Sequence, residues 1–310
     1  MIDFELEPVP PFRLVPTVRV LQRRPNNRVD MLEDGRFYRV LHTADGPRLV
    51  VAEDVGSVDR PLVRVTLPGE PLPPAEVAAL ADTLGDMLGM GADVSGFYRL
   101  ASEDPRLRPA ATALRGLKPP HFETLFEAVV NSVAFQQITL VAGVAIAGRL
   151  AERFGQSVVM DGRPYYGPAE PTAVAAAGTA DLRALGLSER KADVLRHLAG
   201  LVLAGELGFE ALRPLPSEDA IRLLDALPGI GRWTAELILL RGLGRLDVFP
   251  SGDVGVRRGL ARLLGMEQPL AADEEQPLAA RFGEQRGLLY FFSLGWRLLQ
   301  EGLIEPANEP

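Results

Sequence analysis

The sequence predicts a small α+β unit over residues 1–115 followed by an all-α body over residues 116–310. Three observations predict it. A length of 310 residues suits two domains. Short β-branched and aromatic runs, separated by turn signals, crowd the first 70 positions. After about residue 92 they give way to apolar residues at helical spacing.

In the first unit, "RFYRVLH" (36–42), "RLVVAEDV" (48–55) and "PLVRVTL" (61–67) read as strands of an antiparallel sheet. "EDG" (33–35) and "ADGP" (44–47) are hairpin-type turns. Val18 and Val20 are expected to begin an earlier strand. "PGEPLPP" (68–74) ends the sheet, and Val77, Leu80, Ala81, Leu84 and Leu88 then mark a helix.

In the second unit, Phe122, Leu125, Phe126, Val129, Val130 and Val133 share one helical face. Thr139 is placed to cap a helix that buries Val144 and Leu150. "MDGRPYYGPAEPT" (160–172) reads as a loop. "DLRALGLSERKADVLRHLAGLV" predicts two helices broken at "GLS". Ser217 is expected to cap a helix carrying Ala220, Leu223, Leu224 and Leu227. Val256, Leu260 and Leu263 mark another helix after Asp253.

Composition narrows the chemistry. With no cysteine, disulfides, thiolate zinc sites and cysteine-ligated iron–sulfur clusters are excluded. His42, His121 and His197 lack metal-ligand spacing. No apolar run reaches the roughly 18 residues of a membrane span. The acidic, proline-rich start is unlike a secretory signal, so a cytoplasmic protein is expected. A net charge of −8 argues against nucleic acid, whose phosphates need Lys and Arg. The distribution differs: Arg232, Arg241, Arg245, Arg257, Arg258 and Arg262 stand against Glu236, Asp247 and Asp253. Six arginines less three acids put Pro228–Arg262 at +3 and the rest at −11. A locally basic face fits an anionic partner. A solvated arginine-rich surface fits the charge equally well.

"LPGIG" (227–231) separates two amphipathic helices. Pro228 cannot continue the first helix without losing a hydrogen bond. Gly229 and Gly231 are free to take angles closed to other residues. Successive amides beside a helix N-terminus form a site for phosphate oxygens. A tight corner without a ligand has the same signature. Asp253 has two readings as well: an N-cap for the next helix, or a carboxylate held at a fixed distance from whatever the hairpin grips.

The longer match separates these readings. Leu-Pro-Gly-Ile-Gly-Arg-Trp-Thr-Ala (227–235) resembles the hairpin of the helix-hairpin-helix DNA glycosylases. Asp253, 22 residues after Gly231, stands where that superfamily has its catalytic aspartate. Trp233 and "DVFPSGD" (247–253) resemble the DNA-3-methyladenine glycosylase II family, as do "HFETLFEAVVNSVAFQQITL" and "LRALGLSERKADVL". The resemblance covers roughly residues 119–300.

It implies a helix-hairpin-helix glycosylase domain behind a TATA-binding-protein-like sheet. The implied activity is base excision repair of double-stranded DNA. An alkylated purine of the 3-methyladenine or 7-methylguanine type is flipped out and hydrolysed off, leaving an abasic site. Asp253 is the implied catalyst. Trp233, Leu237, Tyr290, Phe291 and Trp296 are candidates for the base pocket, with Leu237 where the family often has an aromatic. By its composition, the aromatic run "LYFFSLGW" is mostly core. Gly229, Ile230, Gly231, Arg232, Thr234, Gln136 and Gln137 are candidate DNA contacts, Gln137 filling the gap left by the base. Arg241, Arg257 and Arg258 are further candidates for phosphate contacts. The carbonyls of Leu227 and Gly229 are candidate ligands for a monovalent cation, Na+ or K+. No other cofactor is implied, and a nucleoid-associated monomer is expected.

Lyase-type relatives carry a lysine at the position of Trp233. The chain's two lysines, Lys118 and Lys191, lie outside the segment from the hairpin to Asp253, so a monofunctional enzyme is expected. One carboxylate suffices for that chemistry, because a purine alkylated at N3 or N7 leaves without a general acid. Two alternatives stay open: a non-catalytic DNA-binding module in which Asp253 is only a cap, and a glycosylase for other damaged bases.

Overall fold

The computed structural model describes residues 1–307. Five strands, β1 (Ile2–Leu6), β2 (Met31–Glu33), β3 (Arg36–Thr43), β4 (Gly46–Asp54) and β5 (Val63–Leu67), form one antiparallel sheet in the order β1-β5-β4-β3-β2. Asp34 and Gly35, both at positive φ, make the two-residue turn that sets Glu33 opposite Arg36. β1 goes beyond the expected strands: Ile2, Phe4 and Leu6 alternate with acids along the edge and pair with β5.

The strand expected at Val18 and Val20 is instead part of helix α1 (Leu14–Gln22). Leu14, Val18 and Leu21 recur at helical spacing and are all buried. That burial outweighs the strand preference of valine. Helix α2 (Pro74–Met87) follows as expected, burying Leu80, Leu84 and Met87.

The helical body begins with α3 (Ser95–Glu103) and α4 (Arg108–Ala113), then α5 (Leu125–Phe135) and α6 (Leu140–Phe154). Thr124 and Thr139 cap the last two by accepting the amides of Glu127 and Ala142. The loop expected over 160–172 is largely a hairpin, β6 (Gly155–Met160) and β7 (Arg163–Ala169). The second part is therefore not purely α. Asp161-Gly162 repeats the turn chemistry of Asp34-Gly35, both residues at positive φ. The hairpin docks on the large sheet, stacking Tyr165 on Tyr38 at 5.4 Å and pairing Arg163 with Glu33 at 2.7 Å. Those partners are distant in sequence and supply what local pattern does not.

Nine α-helices and one short 3-10 turn (Gly283–Gln285) complete the described chain: α7 (Pro171–Ala176), α8 (Thr179–Ala184), α9 (Glu189–Leu203), α10 (Phe209–Leu212), α11 (Ser217–Asp225), α12 (Arg232–Gly242), α13 (Val254–Leu263), α14 (Ala272–Ala280) and α15 (Leu288–Gln300). Ser217 does not cap α11. Pro216 holds that position, and the Ser217 hydroxyl accepts from Arg245 at 3.1 Å. One hydrophobic core runs from the sheet through α5 and α9 to α12. A second joins α3 and α4 to α13 and α15. Fully buried Arg39 on β3 pairs with Asp30 at 2.8 Å and with Glu127 of α5 at 2.7 Å, joining the sheet to the helical body. Removing one partner of such a buried pair costs about 3–5 kcal/mol. Among the described residues no helix is long and apolar enough to cross a membrane.

Candidate active site

The turn Leu227–Gly231 joins α11 to α12 and lies against α9. Gly229 has φ +81°, and a Cβ there would sit 2.3 Å from Val194 Cγ2. Backbone and packing both demand glycine at this point. Gly231 has an ordinary φ of −102° and caps α12, and a Cβ on it would meet nothing within 4 Å. Ile230 packs inward and is buried. The turn and the first residues of α9 and α12 border a cleft of about 450 Å³, lined also by Gln136, Gln137, Ser188 and Lys191. The unpaired amides at the start of α12 belong to this cleft, an arrangement suited to an anion.

Other candidates here have inward duties. Gln136 turns its side-chain amide to the Gly229 carbonyl and the Thr234 hydroxyl, both at 3.1 Å. Thr234 is buried. These two brace the hairpin. Lys191 donates to the Gln136 carbonyl at 2.5 Å and the Ala134 carbonyl at 3.3 Å, tying α9 to the end of α5. Arg232 is held by both carboxylate oxygens of Glu218 at 2.8 Å and by Glu236 at 2.9 Å, so a phosphate must compete with two acids for it. Arg241 cannot meet phosphate. It is fully buried over the Phe122 ring, and burial lowers its pKa to about 10. The Leu227 and Gly229 carbonyls already accept from the Ile230 amide and from Gln136, each at 3.1 Å. One lone pair on each remains, a partial set for a cation.

Between α12 and α13 the chain turns at Pro250–Gly252. Two buried carboxylates hold that turn. Glu236 accepts the Ser251 amide at 3.1 Å, and Glu275 of α14 accepts the Gly252 amide at 3.0 Å. Burial pushes the pKa of both acids up, and those amide bonds oppose it. Asp253 follows at the start of α13. Its Oδ1 accepts the amides of Gly255 at 2.6 Å and Val256 at 3.2 Å. The cap uses that one oxygen and leaves Oδ2 outside it.

Asp253 lines a cavity of about 910 Å³ with Trp233, Leu237, Gln137, Phe135 and Tyr290. Gln137 borders both this cavity and the hairpin cleft, at φ +56°. α15 presents Tyr290, Ser293, Leu294 and Arg297 to the cavity, spaced i, i+3, i+4 and i+7. Phe291 and Trp296, expected in the pocket, fall off that face. Phe291 is fully buried, edge-on to Tyr290 at 5.4 Å, and the Trp296 indole donates to the Arg262 carbonyl at 3.2 Å. Arg258, a candidate phosphate contact, lines this cavity together with Arg262; Arg23, Phe135 and Arg297 in the lining, and Glu236 and Glu275 behind the turn, were not singled out as site residues. A helical wheel drawn from Tyr290 finds Arg297. Nothing local marks the others.

The family model described as "HhH-GPD superfamily base excision DNA repair protein" matches residues 130–282. The chain is 30% identical to a DNA-3-methyladenine glycosylase of Bacillus subtilis (strain 168) over 207 residues, 67% of this chain and 68% of that one. It is 33% identical to DNA-3-methyladenine glycosylase 2 of Escherichia coli (strain K12) over 144 residues, 46% of this chain and 50% of that one. Its fold matches a 3-methyladenine DNA-glycosylase from Archaeoglobus fulgidus with a TM-score of 0.80 and 28% identity, covering 96% of this chain and 99% of that one.

Proposed function

Because the chain belongs to the HhH-GPD superfamily of base excision DNA repair proteins, we propose that it is a monofunctional DNA glycosylase. It acts on alkylated purines of the 3-methyladenine and 7-methylguanine type in double-stranded DNA. The observation that carries this reading is Asp253. It caps α13 through Oδ1 alone while lining the cavity beside Trp233, so one residue serves as cap and catalyst.

The hairpin amides bind a backbone phosphate, and the flipped nucleotide enters the cavity. The bond from C1′ to the purine nitrogen breaks, and the base departs with the electron pair. Positive charge develops on the deoxyribose, and the Asp253 carboxylate stabilises it. A water oxygen bonds to C1′ and its proton passes to Asp253. Alkylation at N3 or N7 already makes the base a good leaving group, so no second carboxyl is required. The Trp233 ring offers an electron-rich face to a cationic base, worth about 0.5–2 kcal/mol. Gln137, between the two clefts, fills the space the base vacates.

On the same reading the five-stranded sheet with its helices is a TATA-binding-protein-like unit ending near residue 115, and the protein works as a monomer on the nucleoid. It needs no cofactor. A Na+ or K+ at the Leu227 carbonyl would only strengthen the phosphate grip. The test is methylated duplex DNA: the protein releases free methylpurines and leaves intact abasic strands. Borohydride trapping of a covalent adduct would refute the monofunctional mechanism, and absence of any free base would refute the activity.

A further inference from the structure

Three residues that line the cavity beside Asp253 carry buried donors with no acceptor. Arg23 Nε, Trp233 Nε1, and Arg297 Nε and Nη2 are buried without a hydrogen-bond partner, and all three residues line the cavity. Arg258 and Arg262 line it as well, and Asp253 is the one acid among the lining residues described. A buried donor left unpaired is costly, which favours a ligand that brings lone pairs.

Arg23 stands apart in how it is held. It follows α1, in the N-terminal unit rather than the helical body. The Arg24 amide donates to the Gln22 carbonyl at 2.7 Å, so Arg23 is the centre of a γ-turn with φ 63° and ψ −37°. That conformation is strained for any side chain other than glycine and persists only where the surroundings fix it. Here the guanidinium lies 4.6 Å from the centre of the Phe135 ring, and Nη2 donates to the Tyr290 hydroxyl at 3.2 Å. The residue is only 6% exposed. The chain thus accepts a strained turn to carry a guanidinium from the N-terminal unit into the wall of the cavity.

We propose that Arg23 is a specificity-determining residue that donates to a carbonyl oxygen of the flipped-out base. The pocket thereby favours purines with a carbonyl at C6, of guanine and hypoxanthine type, over those with an amine there. The proposal rests on the glycosylase reading for delivery of the base. Its logic is hydrogen-bond complementarity: a 6-oxopurine presents an acceptor at that edge and a 6-aminopurine a donor. An amino edge would set donor against donor.

The test compares the intact protein with Arg23→Met and Arg23→Gly, the latter compatible with the γ-turn, with the unfolding midpoint of each confirming a folded protein at the assay temperature. Release of 7-methylguanine and 3-methyladenine is followed from one methylated duplex. Saturation-transfer NMR follows binding of free hypoxanthine and free adenine without any catalysis. Both variants should lower 7-methylguanine release about tenfold more than 3-methyladenine release, the scale of one charge-assisted hydrogen bond. Both should also erase a preference for hypoxanthine over adenine. Equal loss of both methylpurines, or no preference in the parent protein, overturns the proposal. A parent that binds hypoxanthine in an Arg23-dependent way yet releases no base leaves this proposal standing and removes the glycosylase reading.

Discussion

Replacing Gly229 by alanine tests the shape of the hairpin directly. Two costs follow from the structure. The backbone sits at φ +81°, where an L side chain costs about 1–2 kcal/mol. The new Cβ would also lie 2.3, 2.9 and 3.2 Å from three Val194 side-chain atoms. Val194 is β-branched and has little rotamer freedom on a helix, so α9 and the hairpin must separate. Overpacking of this kind costs about 1–3 kcal/mol. The sum is about 2–5 kcal/mol, and the second part alone is relieved by Val194→Ala. Urea denaturation of the two single variants and the double variant measures the coupling. In the double variant, Gly229→Ala should cost only about 1–2 kcal/mol relative to Val194→Ala alone. DNA affinity at fixed salt should fall in Gly229→Ala and recover largely in the double variant. A loss below about 0.5 kcal/mol, within the range of ordinary surface changes, or no coupling with Val194, would refute the steric account.

Three further predictions concern the supports of the site. Glu275→Ala strips the Gly252 amide of its acceptor and should cost about 1–3 kcal/mol of stability. It should slow base release about tenfold under single turnover, one hydrogen bond's worth of positioning, with DNA binding kept. Unchanged release removes Glu275 from the account. Lys191→Met frees the carbonyls of Ala134 and Gln136, and should weaken binding to abasic duplex by roughly tenfold, as measured by fluorescence anisotropy, without changing the salt slope. Lys118 is buried, with Nζ donating to the Ala92 carbonyl, and burial lowers its pKa from 10.5 to about 8. Between those values the unfolded chain holds the proton that the folded chain has released, so stability rises with pH from about 8 to 10.5. Denaturation across that range should show the rise, and Lys118→Met should flatten it.

What the sequence made legible divides along a physical line. The hairpin and the Asp253 cap are local devices: Pro228, Gly229 and the spacing to Asp253 carry their meaning within a few turns of chain. The helices α5, α6 and α9 were readable for the same reason, from apolar periodicity and, at α6, from the capping Thr139. α1 and the β6–β7 hairpin were not, because their burial depends on partners distant in the chain. Arg23 is the extreme case. Its role arises from a strained turn meeting Phe135 and Tyr290, residues more than a hundred positions away. Phe291 and Trp296 show the opposite failure. The aromatic run read as mostly core with Tyr290, Phe291 and Trp296 as pocket candidates, but one residue along a helix turns the side chain about 100°, and only Tyr290 of the three reaches the cavity.

The central claim is that the Asp253 carboxylate is the catalyst as well as the cap. Asp253→Asn tests it most directly, because the amide oxygen can still accept the Gly255 and Val256 amides while the negative charge is gone. The measurement is single-turnover release of methylpurine from methylated duplex, alongside affinity for the same duplex and the unfolding midpoint. The account predicts release reduced by at least about a hundredfold, the scale on which preorganised charge stabilises a transition state, with affinity and stability near those of the parent. Release at the parental rate from a folded, DNA-bound Asp253→Asn protein would contradict it.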